Sequence, residues 1–334
     1  MTTDRFQRPL RDLRISVTDR CNFRCQYCMP RELFGADHAF LPRAQILSYE
    51  EIVRVATAFA DLGVTKLRLT GGEPLLRRDL HRLVEGLAAI PGIDDIALTT
   101  NGVLLAAQAQ ALKIAGLHRV TVSLDALDNT LFQAMSDTRY NVTDVLAGVQ
   151  AAQEAGFERI KVNAVIKRGV NETQILPLVE HFRHTGITMR FIEFMDVGET
   201  NGWCMGDVVS AQEILATIAA AYPIETVGPL HPGEVAKRWR LADGSAEVGV
   251  ISSVTQPFCQ GCTRARLSAE GKVFTCLFAN HGLDLRPVLR DGSPASALSE
   301  ILRKLWTQRE DRYSELRSAG TELHPKAEMS YLGG

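Results

Sequence analysis

Hydrophobic and polar positions divide the first two-thirds of the chain into short β-rich runs and longer helical stretches. The β-rich runs predict six strands, at residues 13–17, 66–70, 95–100, 119–124, 159–166 and 189–195. Alanine- and leucine-rich stretches between them predict helices, at residues 49–62, 78–89, 103–115, 141–155 and 171–184. Parallel strands need crossover connections, which are normally helical, so this alternation predicts an α/β protein with a parallel sheet. Because a closed TIM barrel has more units than this, we expect an open, partial (βα)6 barrel of the TIM type.

The pattern changes beyond about residue 220. The segments KRWRLA, AEVGVISS and RARLSAEGKVFTC predict short strands, the last of them a hairpin that turns at Glu270-Gly271. An amphipathic helix is predicted at about 295–308, ahead of a polar tail. We therefore predict a partial barrel over residues 1–220 and a C-terminal extension, with short strands and a helix, over residues 221–334.

The composition is that of an ordinary globular protein, with 334 residues, 46% hydrophobic and 23% charged, and a net charge of −2. This charge gives no reason to expect a nucleic acid or a membrane as partner, so any affinity for polyanions must come from a local cluster. The start MTTDRFQRPL lacks the apolar centre of a signal peptide, and no run of residues approaches the length of a membrane span. We expect a cytoplasmic protein.

Seven cysteines are present, and a disulfide framework is not expected because the cytoplasm keeps thiols reduced. Six of them form two triplets nearly the whole chain apart, and Cys204 stands alone. This clustering predicts two metal sites. The triplets are Cys21, Cys25 and Cys28, and Cys259, Cys262 and Cys276.

The first triplet has the spacing Cys-x3-Cys-x2-Cys and directly follows the first predicted strand. Three thiolates are one short of the set that holds a conventional [4Fe–4S] cluster, so one iron stays open to an exogenous ligand. Tyr27 lies within the loop, where its ring would shield the cluster from water. The alternative is a zinc knuckle, but zinc prefers four ligands and no histidine lies nearby to complete the set.

This triplet, together with Gly71-Gly72-Glu73-Pro74 at the end of the second predicted strand, resembles the radical SAM enzymes. The resemblance implies that the open iron binds the amino and carboxylate groups of S-adenosylmethionine (SAM). It also implies that the reduced cluster cleaves SAM to a 5′-deoxyadenosyl radical.

The second triplet has the spacing Cys-x2-Cys-x13-Cys and again offers three ligands and an open position. A structural zinc site that staples the C-terminal region is the alternative. Cys204 is either a fourth ligand to one of the metals or an incidental thiol, and its loop offers no supporting pattern for a ligand.

Basic residues interrupt the predicted strands at places that favour a phosphate ligand. Arg264 and Arg266 alternate on a short strand, which puts both guanidinium groups on one face. Arginine binds phosphate through paired, charge-assisted hydrogen bonds. Arg14, Arg68 and Lys161 lie within otherwise apolar strands, so we expect them to point into the barrel mouth toward a polyanion. The alternative is that each of them pairs with a carboxylate, such as Glu73, Asp125 or Glu193.

The second triplet, its Arg-x-Arg segment and the terminal Gly333-Gly334 resemble the GTP 3′,8-cyclases of molybdenum cofactor biosynthesis, from about Leu10 to Gly334. This resemblance implies two [4Fe–4S] clusters, SAM as cofactor and GTP as substrate. It also implies a lyase that makes (8S)-3′,8-cyclo-7,8-dihydroguanosine 5′-triphosphate, an early step toward molybdopterin. The 5′-deoxyadenosyl radical would abstract hydrogen from C3′ of GTP, and the sugar radical would then attack C8 of the guanine.

The same resemblance implies which residues act. The two triplets would hold the clusters, and the second cluster would bind the purine through its open iron. The SAM contacts would be Tyr27, Gly72, Ser123 and Met195. The GTP contacts would be Arg14, Arg68, Thr99, Lys161, Arg264, Ala265 and Arg266. Gly333 and Gly334 would act inside the active site, although most chain ends fray.

Partners also follow from the resemblance. They are an electron donor of the flavodoxin or ferredoxin type and the next enzyme, cyclic pyranopterin monophosphate synthase, which takes the product. A homodimer fits the resemblance, but the sequence does not determine the oligomeric state. Two alternative functions remain: another radical SAM enzyme with an auxiliary cluster, such as a peptide-modifying maturase, and a non-enzymatic electron carrier or zinc module. Maturases usually carry further cysteines downstream, whereas this chain has none after Cys276, and carriers hold closed four-cysteine clusters.

Overall fold

The computed structural model describes residues 2–229, 233–317 and 326–333, and a twelve-stranded sheet runs through it. The strands are β1 Asp12–Ser16, β2 Lys66–Thr70, β3 Asp95–Thr100, β4 Arg119–Ser123, β5 Ile160–Ile166, β6 Thr188–Glu193, β7 Ile224–Val227, β8 Lys237–Leu241, β9 Glu247–Ile251, β10 Arg264–Leu267, β11 Lys272–Phe274 and β12 Leu283–Asp284. The helices are α1 Tyr49–Asp61, α2 Leu80–Ala88, α3 Ala109–Ile114, α4 Asn129–Ser136, α5 Val142–Glu154, α6 Ile175–Phe182, α7 Ala211–Ala221, α8 Arg286–Arg290, α9 Ala295–Thr307, α10 Tyr313–Leu316 and α11 Met329–Leu332. Within the described ranges, none of the helices has the length and apolar character needed to cross a membrane.

The six strands predicted in the first two-thirds of the chain are β1 to β6. They are parallel neighbours in chain order, and each lies within two residues of its predicted bounds. Helices connect them, as a parallel arrangement requires. The predicted α/β class and partial barrel are confirmed.

Two strands from the C-terminal part extend the parallel row, β10 beside β1 and β9 beside β6. The full order is β12-β11-β10-β1-β2-β3-β4-β5-β6-β9-β8-β7, so antiparallel strands form both edges. The sequence predicts these C-terminal segments as strands but not their neighbours, because pairing across such separations leaves no local pattern. The division at residue 220 stays a prediction, and strands from both sides of it share one sheet.

Strand alternation gives the barrel wall an apolar outer face and a polar inner face. In β1, Leu13 and Ile15 are fully buried and belong to the same hydrophobic core as Phe59 of α1. Successive side chains of a strand point to opposite faces, so Arg14 between them points to the interior. The same alternation in the neighbouring strands collects polar and charged groups inside the barrel.

The helices of the barrel differ from the prediction in number and in bounds. The structure adds α4 and α7, which the pattern does not predict. The helix α4 is short and buries only Phe132, Met135 and Ser136, so its periodicity is weak. By contrast, α7 begins with a capping box of Ser210 and Glu213, a local signal that the sequence does contain. The predicted helix at 103–115 shortens to α3, because residues 103–108 form turns.

Gly148 of α5 lies against the loop that follows β3, and a Cβ atom there would come within 2.2 Å of the Gly102 carbonyl oxygen. We expect Gly148→Ala to lower the free energy of unfolding by about 1–3 kcal/mol, because the backbone must shift to admit the methyl group. Urea denaturation followed by circular dichroism measures the change. The control is Gly206→Ala, whose Cβ would meet the Cys204 sulfur at an ordinary 3.8 Å. Equal stability of the two variants would contradict this packing.

Candidate active site

A cavity of about 350 Å³ opens on the inner face of the barrel sheet. All of the residues predicted for the site line it, except Ala265, Gly333 and Gly334. Ala265 alternates with the two arginines beside it, and its side chain is buried in the wall. Gly333 lies at the edge of the cavity against Thr70, and Gly334 lies outside the described residues.

The two cysteine triplets lie at opposite ends of this cavity. The first triplet follows the carboxyl end of β1. Cys259 and Cys262 precede β10, which is parallel to β1, so they lie at the amino end of the barrel strands. Cys276 follows the antiparallel β11 and returns to the same amino end. A five-residue strand spans about 16 Å, so the triplets are separated by about one strand length.

The first triplet has the donor set and the surroundings of an iron–sulfur site. Its three cysteines carry free thiols and are half-buried. Burial, followed by the neighbouring thiols Cys21 and Cys28, raises the pKa of Cys25 well above its ordinary value, so the three groups are close enough to interact. The backbone N–H of Phe23 donates to the Cys21 sulfur at 3.4 Å, a hydrogen bond of the kind that tunes cluster sulfurs. These residues fit a cluster with one open iron.

The helix α4 fixes the loop that carries the first triplet. The backbone N–H of Arg24 donates to the Ser136 carbonyl at 2.9 Å, and that of Gln26 donates to the Met135 carbonyl at 3.1 Å. The Arg24 side chain also donates to the Cys21 carbonyl at 2.8 Å. These bonds hold the loop in place against α4 in the protein without cofactor.

The second triplet fits a cluster as well and differs in its charge environment. The Arg264 guanidinium donates to the Cys262 sulfur at 3.5 Å, and the backbone N–H of Phe278 donates to the Cys276 sulfur at 3.5 Å. Burial raises the pKa of Cys262, but Arg264 and Arg309 outweigh burial and hold that pKa at about 6. Arginines thus favour the thiolate form of Cys262, which is the form that binds metal, whereas burial and Asp311 raise the pKa of Cys276 to about 12.

The zinc alternative gains no support from the geometry. Among residues 2–229, 233–317 and 326–333, no three His, Cys, Asp or Glu side chains close around a single metal ion. Cys204 is exposed and does not line the cavity that the other six cysteines share. The structure therefore does not bring Cys204 to either triplet as a fourth ligand.

Arginines form a row across the barrel wall. The strand register aligns Arg266 with Arg14, Arg14 with Arg68, Arg68 with Ala97, and Ala97 with Arg119. All four arginines line the cavity, and Lys161 and Arg190 line it from β5 and β6. In a chain whose net charge is −2, this is a strongly cationic interior. It is the local cluster that affinity for a polyanion requires.

Repulsion among these cations lowers their pKa values. Burial, then the like charges of Arg68 and Arg264, lowers the pKa of Arg14 to about 9. Burial, then Arg190 and Arg119, lowers the pKa of Lys161 to about 7. Within the described residues, neither Arg14 nor Lys161 forms an ion pair with a carboxylate. A polyanion in the cavity would relieve this repulsion.

The three carboxylates that could have paired with these cations accept hydrogen bonds from other groups instead. Glu73 accepts hydrogen bonds from the Asn101 and Leu75 backbone and from the Thr100 hydroxyl. Asp125 accepts from the Tyr27 hydroxyl at 2.6 Å and from the Val165 backbone. Glu193 accepts from the N–H groups of residues 211, 254 and 255 and from the Thr255 hydroxyl. The pairing alternative is wrong for these three carboxylates.

The residues predicted to contact SAM lie at the same end of the cavity as the first triplet, and two of them also have structural roles. Tyr27 is held by its bond to Asp125, which fixes the ring beside the cysteine loop. A Cβ atom on Gly72 would lie 2.3 Å from the Arg20 carbonyl oxygen, so only glycine lets the loop after β2 pack on the cysteine loop. Ser123 and Met195 line the cavity from the carboxyl ends of β4 and β6.

The C-terminal tail is anchored over the carboxyl end of the barrel. Glu328 accepts from the backbone N–H of Glu199 at 3.0 Å and from the Thr200 hydroxyl at 2.9 Å. Lys326 donates to the buried carboxylate of Asp196 at 2.8 Å. Beyond this anchor, Arg266 donates to the Gly333 carbonyl, and a Cβ atom at 333 would collide with Thr70. The described part of the tail is packed, although chain ends commonly fray.

The structure adds cavity residues that sequence reasoning did not identify. Arg119 and Arg190 interrupt predicted strands in the same way as Arg14 and Arg68, so the sequence does contain a signal that could have placed them in the cavity. Arg119 is paired with Asp95, and Arg190 lies 3.5 Å from Glu234. Arg309, at the end of α9, had no sequence signal, because only the folded chain brings it to Cys262.

Two family models match the chain side by side. The model described as the Radical SAM superfamily matches residues 15–182, and the model described as Molybdenum Cofactor Synthesis C matches residues 187–315. The first match runs from Ile15 in β1 through β5 and includes the first triplet, and the second match includes Cys259, Cys262 and Cys276.

Curated relatives match over nearly the whole length. A GTP 3′,8-cyclase of Acidothermus cellulolyticus is 54% identical, with 99% of this chain and 98% of the relative covered. A GTP 3′,8-cyclase of Xanthomonas axonopodis pv. citri is 53% identical, again with 99% and 98% covered. Among solved structures, Streptococcus suis SuiB bound to S-adenosylmethionine matches with a TM-score of 0.61 at 16% identity, over 94% of this chain and 69% of that chain. At that identity the match to SuiB shows the fold alone.

Arg14 lies in the cavity wall without an ion pair among the described residues, so its buried charge destabilises the ligand-free protein. We expect Arg14→Met to raise the free energy of unfolding of the ligand-free chain by about 1 kcal/mol, as removal of strained site residues does. The same change should weaken binding of inorganic triphosphate by about tenfold, because one charge-assisted hydrogen bond is lost. Urea denaturation and calorimetric titration measure the two effects. Arg240→Met, on an exposed position of β8, is the control. A loss of both stability and binding would show that Arg14 is structural.

Proposed function

Because the chain belongs to the GTP 3′,8-cyclase family of the radical SAM superfamily, we propose that its cavity converts GTP to (8S)-3′,8-cyclo-7,8-dihydroguanosine 5′-triphosphate, an early step of molybdenum cofactor biosynthesis. The observation that carries this proposal is the placement of two three-cysteine sites at opposite ends of one cationic cavity. SAM belongs at one end and the nucleotide between SAM and the other end.

Cys21, Cys25 and Cys28 would hold the cluster at the carboxyl end of β1, and Cys259, Cys262 and Cys276 the cluster at the amino end. When bound, the first cluster would supply the electron for reductive cleavage of SAM, and the 5′-deoxyadenosyl radical so formed would be the species that abstracts hydrogen from C3′ of GTP. The second cluster would give the purine a point of attachment. The side chains and backbone of this chain would orient SAM, bind the triphosphate and exclude water.

Orientation is the main task of the residues near the first cluster. Tyr27, Gly72, Ser123 and Met195 line or shape one end of the cavity and would hold SAM with its C5′ atom toward the nucleotide. The anchored cysteine loop and the close packing of Gly72 on Arg20 mean that little reorganisation is needed on binding. Holding two reactants in a reactive geometry is a large part of catalysis.

The row of arginines would bind the triphosphate. The residues assigned to GTP are Arg14, Arg68, Thr99, Lys161, Arg264, Ala265 and Arg266, and we add Arg119 and Arg190 to the cationic wall. Arg68 already donates to the Thr99 and Thr121 hydroxyls at 2.8 and 3.3 Å, so its guanidinium is oriented before the ligand arrives. Ala265 would contribute its backbone only.

The tail would exclude water from the radical. Met329 and Ser330 line the cavity, and Leu332 is fully buried. The carbonyl of Gly333 accepts from Arg266, so the tail lies against a residue assigned to the substrate. A closed, dry cavity prevents side reactions of a reactive intermediate. Gly334 is assigned to the same tail.

Partners and location complete the proposal. An electron donor of the flavodoxin or ferredoxin type would reduce the first cluster, and cyclic pyranopterin monophosphate synthase would take the product. A homodimer and a cytoplasmic location remain predictions from the sequence.

The test is nucleotide-dependent cleavage of SAM by the anaerobically reconstituted protein with a strong reductant. We expect GTP, but not ATP, CTP or UTP, to raise the yield of 5′-deoxyadenosine strongly and to give a cyclised product. The double variant Arg264→Ala/Arg266→Ala should keep slow cleavage of SAM without nucleotide and lose the response to GTP, because the triphosphate is no longer held. Cleavage at one rate whatever the nucleotide would refute GTP as the substrate and leave the radical chemistry intact.

Affinity for GTP should fall as the pH rises above 7. The pKa of Lys161 in the ligand-free protein is about 7, and a bound polyanion favours the charged form and raises that pKa. Binding therefore takes up a proton, and the affinity is full below pH 7 and is lost as the pH rises through the bound-state pKa. Calorimetric titration in buffers of different ionisation enthalpy measures this uptake. Lys161→Arg is the control, since it keeps the cation at every pH and should abolish the uptake at pH 8. Equal proton uptake by both proteins would contradict the assignment.

A further inference from the structure

Three charged side chains are buried behind the second cysteine triplet. Asp4, Arg8 and Arg309 have side chains that are 0%, 2% and 1% exposed. The Asp4 carboxylate accepts from Arg8 Nε at 2.6 Å and from Arg309 Nη1 at 3.3 Å. Asp4 and Arg8 precede β1, whereas Arg309 follows α9, so this triad joins the N-terminal segment to the segment after α9.

The triad is bonded directly to the backbone of two cysteines. Arg8 Nη1 donates to the Cys259 carbonyl at 2.9 Å, and Arg309 Nη1 donates to the Cys262 carbonyl at 2.8 Å. These are the first two cysteines of the second triplet. The bonds help to fix the position of a short 3-10 turn, whose own backbone supplies the Cys262 N–H to Cys259 carbonyl bond.

The charges of the triad do not cancel. Two guanidinium groups face one fully buried carboxylate, and a second carboxylate, Asp311, which is 31% exposed, lies 3.3 Å from Arg309 Nε. Asp311 makes the number of charges equal, but it is partly exposed to water and so offsets the buried positive charge only in part. Buried cations are costly unless an anion lies next to them. Three metal-bound thiolates would supply that anion.

We propose that the Asp4–Arg8–Arg309 triad is a positioning unit for the second cluster, which it holds by fixing Cys259 and Cys262 and whose reduced state it stabilises through its positive charge. The inference rests on the proposed function, because that assigns the second cluster to these cysteines. Net charge and hydrogen bonding around a cluster set its reduction potential, so the triad should raise that potential.

A purely structural role is the competing explanation. The indole N–H of Trp306 donates to the Arg8 carbonyl at 3.2 Å, so the N-terminal segment also packs on α9. A contact that only holds the N-terminal segment against α9 would change the free energy of unfolding. It would change neither the iron content nor the reduction potential of the folded protein. The two explanations therefore differ in measurable quantities.

The experiment compares Arg8→Met and Arg309→Met with the full-length wild type after anaerobic reconstitution. Each variant removes one positive charge and leaves the pair Asp4–Arg309 or Asp4–Arg8, so Asp4 keeps a buried partner. The matched control is Arg5→Met, which breaks the Arg5–Glu310 pair in the same region, where both side chains are more than half exposed. Iron and sulfide per chain, the electron paramagnetic resonance spectrum during reductive titration, and SAM cleavage without nucleotide are measured.

We expect Arg309→Met to lose about half of the iron and sulfide, which is one of two clusters, and to keep SAM cleavage without nucleotide. Arg8→Met should either lose iron in the same way or retain the second cluster with a lower reduction potential. The control should match the wild type in all three measurements. If Arg309→Met does not fold, as judged by circular dichroism, Arg8→Met decides the question.

Full iron content with an unchanged spectrum and potential in Arg8→Met would overturn the inference. A wild type that binds one cluster only would overturn both the inference and the second-cluster assignment. If the variants lose iron as expected but SAM cleavage by the wild type does not respond to GTP, the role of the triad is supported and the proposed substrate is refuted.

Discussion

Like-charge crowding inside the barrel is the constraint on which the site depends. The parallel strands are in register, and their side chains alternate, so Arg266, Arg14 and Arg68 must point to the same interior. A hydrophobic interior would be more stable, because buried cations without partners are expensive. The chain tolerates this cost because the outer face of the same strands carries an extensive apolar core. Stability and affinity for an anion thus come from opposite faces of one sheet.

The sequence predicts the features that depend on local pattern or on covalent spacing. Strands β1 to β6 follow from hydrophobic runs, and both triplets follow from cysteine spacing. Arg14, Arg68 and Lys161 could be placed in the interior because a charge in an apolar strand has few alternatives. The neighbours of β9 and β10, the position of Arg309 and the packing of Gly333 could not be predicted, because they arise only when distant segments meet. The helix α4 could not be predicted because it is short and buries few side chains, so its periodicity is weak.

The two ends of the barrel are closed by the two ends of the chain. At the carboxyl end of the strands, Asp196 and Glu328 anchor the tail beside the first triplet. At the amino end, the segment before β1 and the residue after α9 meet behind the second triplet. The central sheet positions the cations, whereas the terminal segments decide how tightly each cysteine site is enclosed.

The position of β1 has a consequence for how the chain is made. One neighbour, β2, follows about 50 residues later, but the other, β10, follows about 250 residues later. During synthesis at a typical speed of roughly 5–20 residues per second, the edge of β1 therefore stays unpaired for tens of seconds. An unpaired strand edge invites association with other chains. Cys259, Cys262 and Cys276 flank β10 and β11, so the amino-end site is enclosed only after β10 has joined the sheet.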